Sequence, residues 1–496
     1  MFAIGKRRLI TIIAAVGLTA TAGETYAQSA VWSRHYGGAF NEGGFACVPT
    51  PDSGYLAVGS TYSFGSGDHD IYVIRLDSLG DTLWSRTFGG AAADFGRDVQ
   101  VMPDGGCMVV GSTLSWGAGK EDLCLVRISP SGDLVWSKTY GGVNSDEGWS
   151  IRWTSDSNFI ICGTTSSSGA GYSDLWLLKV SQQGDSIWSR TFGGPGGESG
   201  IAVRETFDGF IAVGATGSFG EGYSSIYAVK VSRAGDSVWA KAFGGPKADI
   251  GYSVEVAKDG DYMIVGATAS YGLGYYDAYV VKVSPFGDVV WEKTYGGVKD
   301  DRGYTISNTP SGDFLLAGTT ESFGRGATDI YVVRISPIGD VIWSATYGGT
   351  LSDYCRGISV DRKGNFVIAG YTYSYTAGGS DLYLLALTGD APTPVDELPD
   401  DQLPTGFALE QNYPNPFNAT TRIQYSLPRH ELVNMTIYNV LGQVVRLWRG
   451  MSTPAGTFQL EWDGTDDSGR PLASGVYFYR LDVARYSESK KLVLLK

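Results

Sequence analysis

The sequence predicts an all-β protein, a seven-bladed β-propeller followed by a small immunoglobulin-like β-sandwich, on three observations. The first is composition. The 496 residues include 70 Gly, aromatics reach 13%, and Lys, Arg, Asp and Glu together make only 18%. Glycine weakens helices and few charge pairs are available to support them, whereas a disordered chain would be richer in charge and poorer in aromatics. The glycines have no three-residue period, which excludes collagen. The second is a repeat. Trp stands at 32, 84, 136, 188, 239, 291 and 343, at intervals of 51 or 52 residues, and opens phrases such as WSRTFGG, WSKTYGG and WEKTYGG. Repeats of about 40–50 residues are the mark of propeller blades. The third is that each unit holds four short runs of β-branched and aromatic residues separated by Gly, Asp and Pro, the content of one blade.

Taken in chain order, the N-terminus reads as a secretory signal peptide over residues 1–27. Lys6, Arg7 and Arg8 precede the apolar run Leu9–Gly23, and small residues lead to a cut after Ala27. The run is short for a membrane span, and no later stretch reaches spanning length, so the mature chain is expected to lack a transmembrane segment. The formal net charge is −14. Without a basic cluster past the first ten residues, phosphate neutralisation has no footing and nucleic acid is not an expected partner.

Residues 28–390 are assigned to the propeller. In the unit opened by Trp291 the expected strands are Tyr304–Ser307, Phe314–Thr319, Ile330–Ile335 and Val341–Trp343. The ends complement each other. Ala30-Val31-Trp32 matches a fourth strand, and the last unit has only three, ending at Leu387. Pairing the first strand with the last unit closes the ring and removes edges that would invite aggregation.

Within the repeat, an acid stands ten residues after each Trp: Glu42, Asp94, Asp146, Glu198, Asp249, Asp301 and Asp353. A Thr with Ser two residues on follows, and then a second acid row, Asp70, Asp122, Asp174, Asp277, Asp329 and Asp381, with Ser225 in the fourth unit. In a four-strand meander these positions share one face. Two readings stay open. The carboxylates accept hydrogen bonds from hydroxyls and turn amides, fixing the loops, or the second row provides metal positions for Ca²⁺, which takes several oxygen ligands. No other cofactor is expected. An aromatic also recurs after the Ser, at Phe64, Trp116, Phe219, Tyr271, Phe323 and Tyr375. These are the candidate ligand-binding residues, because rings exposed on that face can stack on sugars or contact a partner.

Enzyme signatures are scarce, and no catalytic residue is assigned. The chain has three His, at 35, 69 and 430, and neither an HExxH motif nor a G-x-S-x-G elbow. Thirteen recurring acids do not single out a carboxylate pair for glycoside hydrolysis. The five cysteines, Cys47, Cys107, Cys124, Cys162 and Cys355, occupy different places in the repeat, so they read as small buried apolar residues and not as a disulfide framework.

Residues 391–404 (PTPVDELPDD at their centre) form an acidic, Pro-rich linker. Residues 405–496 are a separate β domain with strands expected at Thr421–Leu427, Asn434–Val440, Gln443–Arg449, Gly456–Trp462, Gly475–Ala484 and Lys490–Leu495, enough for an immunoglobulin-like sandwich. The motifs LEQNYPNPFN (409–418), TRIQYSLP (421–428), VNMTIYNVLG (433–442), Ser474-Gly475-Val476-Tyr477 and the ending KKLVLLK (490–496) resemble the C-terminal type A sorting domain of type IX secretion, and the related flagellar hook-capping Ig-like domain. Ala419 departs from the usual Pro.

That resemblance implies a Bacteroidetes-type bacterium, transit through the periplasm, and an extracellular or outer-membrane-surface destination. The partner it implies is the type IX machinery, read through Gly475, Tyr477 and the basic Lys490, Lys491 and Lys496. The propeller units are similar to Trp-Ser-x-x-Tyr/Phe-Gly-Gly repeats of secreted bacterial proteins, a likeness that carries no activity. The resulting expectation is a non-enzymatic binding or adhesion protein for a glycan or other surface macromolecule. A secreted polysaccharide hydrolase or lyase, and a structural spacer, are the alternatives.

Overall fold

The computed structural model describes residues 30–389 and 406–495, except 362, 377–378, 419, 428–430, 454–455, 468–469 and 484–485. The signal-peptide and linker assignments, with Ala27, His430 and Lys496, lie outside the described residues. Every regular element among the described residues is a strand, and no helix is long and apolar enough to cross a membrane. The described chain divides into two compact units, meeting in sequence near Thr393.

The first unit consists of four-stranded antiparallel sheets. Six are sequential meanders, beginning at Glu42, Asp94, Asp146, Glu198, Asp249 and Asp301. A further sheet combines Asp353–Val360, Phe366–Thr372 and Asp381–Leu387 with the N-terminal strand Ala30–Tyr36. That strand runs antiparallel to Asp381–Leu387, pairing Arg34 with Leu384 and Tyr36 with Leu382. Each sheet's second strand packs on the first strand of the next sheet, and Phe366–Thr372 packs on Glu42–Pro49, so the series returns to its start. Stacked sheets of this kind form a β-propeller.

The two middle strands of each sheet are buried on both faces, which is why they read as unbroken apolar runs such as Ala278-Tyr279-Val280-Val281. Their side chains interdigitate between sheets. One cluster joins Met263, Val265 and Val280 to Ile306, Phe314, Leu316 and Val333 of the following sheet. All five cysteines are buried and unpaired within these layers, and burial raises their thiols, to about 12 at Cys107 and Cys355.

Several strand limits differ from expectation. In the unit of Trp291 the first strand begins at Asp301 and the fourth continues to Tyr347. The Trp-to-Gly-Gly phrase is therefore itself strand, and cross-sheet anchoring of its side chains explains why. Trp291 Nε1 donates to the Pro337 carbonyl at 3.3 Å and Tyr295 Oη to the Gly339 carbonyl at 2.8 Å, both on the hairpin turn of the next sheet. Gly339 has φ +80°, and a Cβ there would press into the Trp291 ring, so only glycine suits this turn. Trp32 and Tyr36 repeat the arrangement on Ser78 and Gly80.

The second unit holds a three-stranded sheet (Ala408–Leu409, Thr421–Leu427, Gly456–Trp462) and a four-stranded sheet (Glu431–Asn439, Val444–Thr453, Gly475–Val483, Tyr486–Leu494). Their inner faces share a core containing Phe417, Ile423, Tyr425, Met435, Trp462, Tyr479 and Leu492. The last strand starts at Tyr486, four residues before the expected Lys490, because the hairpin pairs Val483 with Tyr486.

Candidate functional site

The recurring acids are tied into the loops. Each acid of the first row opens a first strand and accepts hydrogen bonds from the phrase before it and the loop after it. Glu42 takes the Gly38 amide at 2.8 Å, the Thr61 hydroxyl at 2.8 Å and the Ser63 amide at 3.0 Å. Asp249 takes the Gly245 amide at 2.7 Å, the Ser270 hydroxyl at 2.8 Å and the Thr268 hydroxyl. The second row accepts loop amides: Ser66 to Asp70 at 2.7 Å, Ala118 to Asp122 at 2.9 Å, Ala170 to Asp174 at 3.0 Å, Gly274 to Asp277 at 2.9 Å and Gly326 to Asp329 at 2.8 Å. Asp381 instead meets His35 Nδ1 at 2.8 Å.

The rows face each other across the first Gly of the Gly-Gly pairs, except at Gly244, where Ser225 replaces the second acid. A Cβ on Gly89 would overlap the carboxylates of both Asp70 and Asp94. Burial, then the facing acid, raises the carboxyls of Asp70, Asp122 and Asp329 and brings Asp277 to about 6. Among the described residues no group of three or more His, Cys, Asp or Glu is placed to hold a metal ion.

The loop aromatics Phe64, Trp116, Phe219, Tyr271, Phe323 and Tyr375 are all exposed on this face. Five of them lean on an aromatic of their own sheet's third strand, as in Phe64 on Tyr72 and Phe219 on Tyr227, with centroids 5.7 and 5.6 Å apart. They form separate stations around the rim. His69 bonds Asp68 at 2.8 Å and packs against Tyr62 and Phe95.

A different set of residues converges. The first strands line an axial cavity of about 520 Å³. In every first strand the register slips around the fourth residue, for example between Gly303 and Thr305 or between Gly96 and Asp98. Such a bulge re-aims side chains and places two neighbours on one side of the strand. The fourth residues are Phe45, Arg97, Trp149, Ile201, Tyr252, Tyr304 and Arg356, and all seven line the cavity. Arg97 lies between the rings of Phe45 (4.5 Å) and Trp149 (4.4 Å), Arg356 lies over Tyr304 (4.5 Å), and Tyr252 meets Tyr304 at 4.9 Å.

Further along the wall stand Asp98, Gln100, Ser150, Arg152, Arg204, Ser253, Thr305, Ser307 and Ser359. Asp98 pairs with Arg152, and Arg204 with Glu255 at 3.0 Å. A search for residues held in every unit passes over these positions, because none is held throughout the repeat. The available signal was the inverse: one place in a constant strand that varies among Phe, Arg, Trp, Ile and Tyr.

In the second unit, Gly475 and Tyr477 lie on Gly475–Val483, and Lys490 and Lys491 on the adjoining Tyr486–Leu494. Tyr477 is buried and its hydroxyl donates to the Ala473 carbonyl at 2.9 Å. Lys490 contacts Glu488 at 3.3 Å.

Residues 417–487 match the FlgD Ig-like domain family. An uncharacterized WD repeat-containing protein, L264 of Acanthamoeba polyphaga mimivirus, is 32% identical over 85 residues, 16% of this chain and 6% of that protein, so the chain spans only a small part of this curated relative. Among solved structures, the β-propeller domain of the Trilobed protease from Pyrococcus furiosus is similar with a TM-score of 0.41 and 11% identity, over 72% of this chain and 98% of that one. Chaetomium thermophilum Sqt1, bound to the N-terminus of ribosomal protein L10, gives a TM-score of 0.42 at 11% identity over 74% and 100%. Puromycin hydrolase gives 0.45 at 15% over 82% and 61%.

Proposed function

We propose that this chain is a non-enzymatic binding protein of the bacterial surface, a seven-bladed propeller exported through type IX secretion by its C-terminal domain, and that the ligand enters the axial cavity. The carrying observation is the ring of seven side chains of five residue types, six of the seven aromatic or Arg, on a scaffold otherwise repeated unit by unit. Residues needed for folding recur in this chain, as the acids, Thr and Gly-Gly do. Tyr, Trp and Arg are the residue types that concentrate at binding sites, and a concave cavity with a few convergent polar groups is where a ligand is expected. The N-terminal leader, the sorting-type motifs and the acidic balance support the address.

The test is the mature chain screened on a glycan array and, in parallel, for polysaccharide cleavage. Saturable binding without turnover supports the reading. Turnover selects the secreted hydrolase or lyase instead, and neither outcome leaves the spacer. Deleting residues 405–496 and fractionating cells tests the address: cargo still reaching the surface refutes it.

A further inference from the structure

The axial cavity holds four arginines in two chemical situations. Arg152 and Arg204 are neutralised by Asp98 and Glu255. Arg97 and Arg356 are not. Among the described residues the Nε of each is buried without a hydrogen-bond partner. Among the described residues the hydrogen bond of Arg356 is a long one to the Tyr371 hydroxyl, at 3.4 Å, and its electrostatic neighbours are tyrosines. Arg97 feels Glu147 and Glu121 but closes an ion pair with neither among the described residues. The two guanidiniums flank Phe45 around the ring and are near enough to repel one another. A buried unsatisfied donor is costly, more so when charged, and a guanidinium presents a planar fork matched to a carboxylate.

The remaining wall describes the rest of the ligand. Trp149, Tyr252 and Tyr304 offer ring faces. Gln100, Ser150, Ser253, Thr305, Ser307 and Ser359 offer donors and acceptors for hydroxyls, and the Ser150 Oγ is buried and unpartnered. The volume of about 520 Å³ lies within the range of small-molecule sites, about 300–1,000 Å³. A chain of net charge −14 repels a long polyanion at a distance, which favours a short ligand with one buried acid. Resting on the binding role above, we infer that the cavity takes a uronate sugar, its carboxylate held by Arg356 and Arg97 and its ring against the tyrosines and Trp149.

The experiment is titration of the full mature chain, followed by Trp fluorescence and calorimetry. The probes are di- and trisaccharides of glucuronate and galacturonate, their carboxyl-reduced neutral counterparts, and inorganic phosphate. The expected result is saturable uronate binding with the neutral sugars at least tenfold weaker. Arg356→Gln and Arg97→Gln should each weaken uronate binding about 10- to 100-fold, narrowing the gap between uronate and neutral sugar. Arg356→Lys keeps charge without the fork and should fall between, and its melting point controls for folding. Equal binding of neutral and acidic sugars, insensitive to Arg356→Gln, overturns the acid selectivity and leaves the binding role standing. Phosphate competing as well as uronate overturns the sugar assignment. No binding of any saccharide overturns the proposal, whereas the binding role falls only if the array is also blank.

Discussion

Ring closure makes a quantitative prediction at Trp32. This side chain is 7% exposed, meets Tyr55 edge-on at 5.5 Å, and donates to the Ser78 carbonyl at 3.0 Å. It therefore ties the N-terminal strand to the sheet that follows, while the strand's backbone ladder ties it to Asp381–Leu387. Trp→Ala at a buried site costs about 3–5 kcal/mol, to which the lost indole bond adds about 1 kcal/mol. Trp136 holds the equivalent place but is only half-buried, so Trp136→Ala should cost roughly 2 kcal/mol. Chain continuity sharpens the contrast, because the fourth strand containing Trp136 stays covalently joined to both neighbours, whereas the first strand reaches its sheet only by noncovalent contact. Urea unfolding followed by Trp fluorescence, with light scattering as a second readout, measures both variants. Trp32→Ala should unfold at clearly lower urea and aggregate, and deletion of 28–38 should do so more strongly. A loss below about 1 kcal/mol at Trp32, or unchanged melting and solubility of the deletion, refutes closure by the N-terminal strand.

Three further outcomes follow from the acid and glycine geometry. Gly89→Ala places a Cβ on the Asp70 carboxylate and should destabilise by about 2–3 kcal/mol in urea unfolding. Gly43→Ala, whose Cβ meets atoms only at 3.6 Å and beyond, should be near neutral. Asp277, brought to about 6 in the fold by burial and Asp301, binds a proton more readily folded than unfolded. Its contribution therefore falls as pH rises from about 4 to 6 and stays low above. Asp277→Asn should thus melt higher than the parent at pH 7, by the equivalent of about 1–3 kcal/mol, with the gap closing by pH 4; Ser225 in the fourth unit shows the position accepts a neutral side chain. Melting at pH 7 with Ca²⁺ against EDTA decides the cation reading: a rise with Ca²⁺ that Asp277→Asn and Asp329→Asn reduce supports it, and identical curves reject it.

How much was legible depends on whether a residue acts locally or through assembly. The 52-residue spacing of Trp and the complementary ends at Ala30 and Leu387 were visible because closure needs matching strands, which is a property of sequence order. The fourth strand was read short, stopping at Trp343 instead of Tyr347, because what keeps the phrase extended is packing on another sheet, as where Trp343 stacks on Phe366 with centroids 6.4 Å apart. The acid rows were legible as a shared face, but not which atoms they hold. The rim aromatics were visible because they recur, yet the structure sets them apart from one another. Phe45, Arg97, Trp149, Tyr252, Tyr304 and Arg356 escaped because no one residue type is held at their place throughout the repeat.

Composition, period and turn chemistry thus determined by themselves that this chain is a series of four-stranded sheets with a separate β domain after it. Those signals act over a few residues and need no partner. Only the tertiary structure decided which side chains meet at the axis. A one-residue bulge in each first strand shifts the alternation of faces, and residues some fifty positions apart converge only when the sheets are arranged around a common cavity.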